Sequence, residues 1–166
     1  PANLPPGPPG WQGAGPVPPS SPPAGFMADH PPVFIRPARG TDIESLLVLI
    51  EPFVLQRKIL PRTIDELTLL LSSYFVAECG SRIVGCVALE IYSTKLAELR
   101  SLVVDPDYQG QGIGKKLVAA AVARAREEQI LEVMAITSAE DFFQTCGFDY
   151  TLPGEKKALF LQTRER

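Results

Sequence analysis

The sequence predicts one α/β domain with a mixed sheet over residues 33–166, preceded by a proline-rich leader at residues 1–32. Three observations carry this. From Val33 onward, apolar runs rich in β-branched residues alternate with capped segments of helical spacing. Two of the β-rich runs are separated only by Gly80-Ser81, a hairpin spacing that puts antiparallel pairs into the sheet. Composition also changes abruptly: 12 of the 17 prolines lie in residues 1–32, a stretch without Lys or Arg. Pro-Gly-Ser sequence of this kind cannot bury enough apolar surface to offset its ordering entropy, and it reads as a disordered or polyproline-II tail.

The elements follow in order. Val33–Arg36 reads as a strand stopped by Pro37. Thr41-Asp42-Ile43-Glu44 has the form of a capping box and opens a helix through Ile50, limited by Pro52. A second box, Thr63-Ile64-Asp65-Glu66, opens a helix through Leu71. Tyr74–Cys79 and Arg82–Ile91 form the hairpin, and Leu99–Val104 is a further strand closed by Asp105-Pro106. A helix runs from Gly112 to about Glu128, with Leu117, Val118, Ala121, Val122 and Ala125 as its buried stripe. Ile130–Thr137 reads as a buried strand. Ser138-Ala139-Glu140-Asp141 caps a short helix ending at Gly147, and Phe148–Tyr150 and Ala158–Thr163 read as final strands.

Composition excludes several classes of function. The chain of 166 residues is 45% apolar and carries a formal net charge of −3, with 19 Asp and Glu against 16 Lys and Arg. That balance argues against a nucleic-acid partner, which calls for a basic excess. No uncharged apolar run approaches a membrane span. Cys79, Cys86 and Cys146 lack C-x-x-C spacing, so neither a zinc ribbon nor a disulfide framework is expected. His30, the sole histidine, falls in the leader. A folded core without histidine runs neither a Ser-His-Asp triad nor a histidine metal site, so no metal is expected. A general base must be a carboxylate, a Tyr, a Cys, a Lys or a water. The leader is neither Arg-rich nor built around an apolar core, which predicts a cytoplasmic protein.

The sharpest local signal is the run from Asp105 to Lys116, DPDYQGQGIGKK, entered by a strand and left by an amphipathic helix. Glycine at a helix start is poor for stability, so the backbone there is expected to come close to something. Uncapped N–H groups at the positive end of a helix dipole suit a diphosphate, and Lys115 and Lys116 add charge. Walker A does not fit, because Gly110 to Gly114 is one residue short and Lys116 stands where Ser or Thr must hold magnesium. The Rossmann pattern fails at Lys115, where glycine is needed. A third pattern, Q/R-x-x-G-x-G/A, is filled by Gln109, Gly112 and Gly114.

That third pattern resembles the coenzyme A loop of the GCN5-related N-acetyltransferase (GNAT) superfamily. The resemblance runs from Ile35-Arg36-Pro37-Ala38 through Val84–Leu89 and Leu102–Pro106 to Phe143-x-x-x-Gly147-Phe148. Within the superfamily the chain is most similar to the acetyltransferase domain of N-acetylglutamate synthases. Lys58–Thr63, Ala97-Glu98-Leu99 and the ending Leu152-Pro153-Gly154-Glu155-Lys156-Lys157-Ala158-Leu159-Phe160 carry that likeness. The resemblance implies a splayed mixed sheet flanked by helices and acetyl-CoA as co-substrate, bound by Leu102, Val103 and Val104 on the strand. Gln109, Gly110, Gln111, Gly112, Ile113, Gly114 and Lys115 bind it in the loop. It implies transfer of acetyl to the α-amino group of L-glutamate, opening arginine biosynthesis, with a small-molecule partner and no nucleic acid or membrane, and it allows a homodimer. Another amine acceptor, or a non-catalytic acyl-CoA-binding module, remains open.

An attacking amine must lose a proton. Glu98, just before the thioester-binding strand, is the candidate base, directly or through a water, with Glu90 on the neighbouring strand as runner-up. Two carboxylates on glutamate favour bidentate Arg partners. Arg62 and Arg164 match the family's substrate positions, with Arg100 and Lys58 as helpers. Where many GNAT enzymes have a Tyr to protonate the departing thiolate, this chain has Phe143, which leaves that proton to a water, Ser138 or Thr137.

Overall fold

The computed structural model describes residues 31–151, 154, 158–161 and 163. The predicted leader, apart from Pro31 and Pro32, lies outside them. So do Arg164 and most of the Leu152–Lys157 segment. One five-stranded sheet organises the described chain, in the order β1 (Val33–Pro37), β2 (Tyr74–Cys79), β3 (Arg82–Ser93), β4 (Leu96–Val104), β5 (Glu132–Ala135). The first four strands pair antiparallel and β5 joins β4 in parallel. The mixed sheet thus matches the predicted class.

Period two in the strands explains the layers. Tyr74 and Val76 point to one face and Phe75 and Ala77 to the other, so both faces of β2 are apolar and both are covered. On one side sit α1 (Ile43–Leu55) and α2 (Ile64–Leu70), which bury Leu46, Leu49, Ile50 and Leu67 against Tyr74, Val76, Cys86 and Ala88. On the other side α3 (Ile113–Glu127) buries Ile113, Leu117, Val118, Ala121 and Ala125, the predicted stripe except for Val122, which is only half-buried. α3 is also the crossover that the parallel β4–β5 pair requires. A short α4 (Glu140–Thr145) stacks Phe143 edge-on to Phe142 and Phe148, with ring centroids 5.2 and 5.3 Å away.

Several expectations need correction. The box at Thr41–Glu44 does not form. Asp42 is the N-cap of α1, and its carboxylate accepts from Arg36 at 2.7 and 3.0 Å and from the Arg39 N–H at 2.7 Å. α1 runs past Pro52 to Leu55, although the proline has no N–H to donate to the Val48 carbonyl and so removes one bond from the helix. At Thr63 the box is complete: the hydroxyl accepts from Glu66 N–H and the Glu66 carboxylate accepts from Thr63 N–H. α4 starts after Ala139 rather than under a Ser138 cap, and the Thr137 hydroxyl takes the Ala139 N–H at 2.9 Å. β5 is shorter than predicted and half-buried rather than buried, for it lies at the sheet edge.

The strands predicted at Phe148–Tyr150 and Ala158–Thr163 are not formed among the described residues. Leu159 is 92% exposed. A run of β-formers becomes a strand only where a ladder partner and a covered face await it. A cavity of about 570 Å³ lies along the outer side of β5, floored by Val133, Ala135, Phe143 and Phe148.

Candidate active site

Three features lie along β4 and the loop that follows it. Pairing between them runs only from Leu96 opposite Glu132 to Leu99 opposite Ala135. β4 continues to Val104 without a β5 partner, so its edge along Arg100–Val104 is left unpaired by β5. Within that stretch β4 carries a bulge. Cys86 pairs with Val103 and Ala88 with Arg100, so Ser101 and Leu102 together oppose Val87. Ser101 has φ +51°, a left-handed conformation that costs a non-glycine residue roughly 1–3 kcal/mol. The surroundings hold it there: the Cys86 thiol donates to the Ser101 carbonyl at 3.4 Å, and the Tyr74 hydroxyl contacts Ser101 Oγ at 3.4 Å. The bulge interrupts the ladder to β3 at Ser101 and Leu102, and pairing resumes at Val103 and Val104. Sequence reasoning found this strand but not its bulge, because a serine gives no sign of positive φ.

The loop after β4 is pinned at its base. Asp105 N–H donates to Val84 O at 2.8 Å, and the Asp105 carboxylate caps the turn Pro106–Tyr108 by accepting from Asp107 N–H at 3.0 Å. Gln109 Nε2 donates to Val104 O at 2.9 Å. The side-chain amide of Gln109 is therefore a strut between loop and strand. Gly110 and Gly112 have φ of +77° and +76°, and a Cβ on either would meet nothing within 4 Å. Glycine is needed there for conformation and leaves the backbone approachable from outside. Gly114 differs: its Cβ would stand 3.2 Å from the Phe142 ring, so packing dictates it. α3 then begins with no side-chain cap, and Lys115 and Lys116 are exposed beside its first turn. Uncapped amides, the positive helix end and two lysines fit the diphosphate of coenzyme A.

The third feature is polar. Ala88, Glu90 and Tyr92 of β3 alternate onto the α1–α2 face of the sheet, beside Arg100 and Glu98 of β4. Glu98 lies directly opposite Glu90 and is 8% exposed, one of two buried charged side chains among the described residues. The Tyr92 hydroxyl donates to Glu98 Oε2 at 2.5 Å, which pushes the phenol's pKa up to about 12. Arg100 Nη1 donates to Glu90 Oε2 at 2.5 Å, so Arg100 and Glu90 satisfy each other. Lys58, the other predicted helper, has its ammonium 6.0 Å over the Phe53 ring.

Arg62 sits between α1 and α2, just before Thr63, and its Nε is buried without a hydrogen-bond partner. Its charge acts on the Tyr74 hydroxyl, whose pKa burial raises. Tyr74 pairs with Ala88, and Ala88 with Arg100, so Tyr74 lies on the sheet face that also carries Glu98, with its hydroxyl turned toward Ser101. Phe143 is buried and has no proton to give. Neither Glu98, Leu102–Val104 nor the Gln109–Lys115 loop lines the cavity along β5. Among the described residues no cluster of His, Cys, Asp and Glu could hold a metal ion, and no helix is long and apolar enough to cross a membrane.

Residues 71–150 match the acetyltransferase (GNAT) domain family. The chain is 32% identical over 114 residues to an uncharacterized N-acetyltransferase of Chlorobaculum tepidum, covering 69% of this chain and 74% of that protein. It is 30% identical over 117 residues to the amino-acid acetyltransferase of Mycobacterium tuberculosis, covering 69% of this chain and 67% of that one. Of a longer amino-acid acetyltransferase it spans 30%. The crystal structure of N-acetylglutamate synthase from Neisseria gonorrhoeae, complexed with coenzyme A and N-acetyl-glutamate, is similar with a TM-score of 0.64. The identity is 28%, over 68% of this chain and 27% of that one.

Proposed function

The chain belongs to the GNAT acetyltransferase family and is an acetyl-CoA-dependent N-acetyltransferase, and from that premise we propose that its acceptor is the α-amino group of L-glutamate, in the cytoplasm, as the opening step of arginine biosynthesis. The observation that carries this reading is a pair of side chains: the buried carboxylate of Glu98 and the buried, unpartnered Nε of Arg62. An amine needs the first, and a substrate with carboxylates needs the second. The names of the relatives and the product bound in the gonococcal neighbour support it.

Acetyl-CoA supplies an activated acyl group and a thiolate leaving group. The rest falls to this chain. Amides from Gly110 to Lys115 hold the diphosphate. A backbone N–H at Leu102–Val104 donates to the thioester oxygen as negative charge gathers there. Glu98 takes the proton that the amine sheds, directly or through a water. Arg62 fixes a substrate carboxylate, and Arg164, outside the described residues, is assigned to the second.

The test is thiol release from acetyl-CoA with a panel of amino acids and a peptide N-terminus. L-glutamate is expected to turn over fastest. A faster peptide or amine moves the acceptor elsewhere, and coenzyme A binding without turnover on any amine makes the domain a binding module.

A further inference from the structure

Tyr92 takes no part in the reaction as set out above, yet it is the only side chain seen bonded to Glu98 among the described residues. The backbone makes a special place for it. Ile91 pairs with Ala97 and Ser93 with Leu96, so Tyr92 is the extra residue of a second bulge and has no counterpart on β4. Bulges re-aim side chains. This one puts the phenol beside a carboxylate that is otherwise flanked, across the ladder, by the like charge of Glu90.

The identity of the donor matters. The cation nearest in the row, Arg100, is given to Glu90. A guanidinium on Glu98 would set a full positive charge beside it, whereas a phenol is neutral and fixes the carboxylate through one hydrogen bond. Because the phenol ionises only at about 12, it keeps its own proton throughout turnover and does not compete for the one the amine gives up.

We propose that Tyr92 is a positioning residue for acetyl transfer: by donating to Oε2 of Glu98, its hydroxyl orients the carboxylate so that Oε1 receives the proton of the incoming amine. This rests on Glu98 being the base. No bond to Tyr92 forms or breaks. The amine proton ends on Glu98, and the Tyr92 proton stays on oxygen.

The experiment compares wild type, Tyr92→Phe, Glu98→Gln and the double variant in steady-state thiol release from acetyl-CoA with L-glutamate, using the amine that turns over fastest if glutamate does not. Tyr92→Phe is expected to lower kcat about tenfold, the scale of one hydrogen bond to a charged group, with KM for acetyl-CoA unchanged. In the Glu98→Gln background the same substitution is expected to cost nothing further, since no base remains to orient. Wild-type kcat in Tyr92→Phe, or an equal further loss in the double variant, overturns the proposal. Wild-type kcat in Glu98→Gln removes the base itself and Tyr92's role with it, whereas a crippled Glu98→Gln beside an unimpaired Tyr92→Phe sinks Tyr92 alone. An activity-free readout is the ultraviolet titration of Tyr92, taken as wild type minus Tyr92→Phe. It is expected near 12 and to fall toward the ordinary 10.0 in Glu98→Gln. A titration that Glu98→Gln leaves unmoved means the bond is absent and the proposal wrong.

Discussion

Arg36 holds two carboxylates at once, Asp42 through its terminal nitrogens and Glu78 through Nε at 2.7 Å, and so ties β1 to the start of α1 and to β2. The Asp42 carboxyl is held below its ordinary 3.8, chiefly by the hydrogen bonds from Arg36. A lowered folded value means stability that is complete above 3.8 and is lost as pH falls through the lowered value. Asp42→Asn is therefore expected to cost about 3 kcal/mol near neutrality, by leaving a mostly buried guanidinium short of a partner. The gap to wild type should narrow in acid denaturation below 3.8; a gap constant with pH contradicts the account. Arg62 is expected to act on substrate instead. Arg62→Met should raise KM for glutamate about tenfold or more with KM for acetyl-CoA unmoved, the scale of a lost charge-assisted bond. Burial pushes the Cys86 thiol up to about 12, so in the folded protein a thiol reagent should label the half-exposed Cys146 before Cys86, as peptide mapping would read.

Elements divide by whether their causes are local. β2 appears at its predicted residues because a turn bounds it on the β3 side, and α2 starts where predicted because a complete capping box opens it, although it ends at Leu70 rather than Leu71. The glycine loop was legible for the same reason: its spacing is a property of consecutive residues. Gly112→Val is expected to abolish coenzyme A binding in calorimetry, since a β-branched residue resists φ +76° and its side chain fills the approach to the amides. Gly114→Ala, which presses only on the Phe142 ring, should weaken binding less. Gly85→Ala should cost about 1–3 kcal/mol in denaturant unfolding, because its Cβ would sit 3.2 Å from the Val103 carbonyl and 3.1 Å from Leu117, where α3 docks. What sequence did not yield was set at a distance. The Ser101 and Tyr92 bulges are register facts between two strands, and the predicted final strands turn on a pairing edge far away in the chain. Glu98 was legible as a residue, but its phenol partner became visible only once β3 and β4 were aligned.

At the scale of the molecule the sheet divides the labour. One face, under α3, is packed throughout and carries the loop that follows β4, while the face under α1 and α2 holds the polar row. A ligand that pairs with the free edge of β4 beyond Leu99 binds only the folded form and stabilises it by mass action, by about 2.7 kcal/mol at a hundredfold excess over Kd. A thermal shift with coenzyme A and none with Gly112→Val is the expected pair of results. Amide hydrogen exchange at Leu102–Val104 should slow on binding more than in β2, which already has neighbours on both sides.

The unpaired end of β4 thus gives the fold a seam that its own chain does not sew shut among the described residues. A thioester seated on Leu102–Val104, as proposed, is expected to slow the fraying of the fourth strand, so the reagent the enzyme consumes would also brace the enzyme.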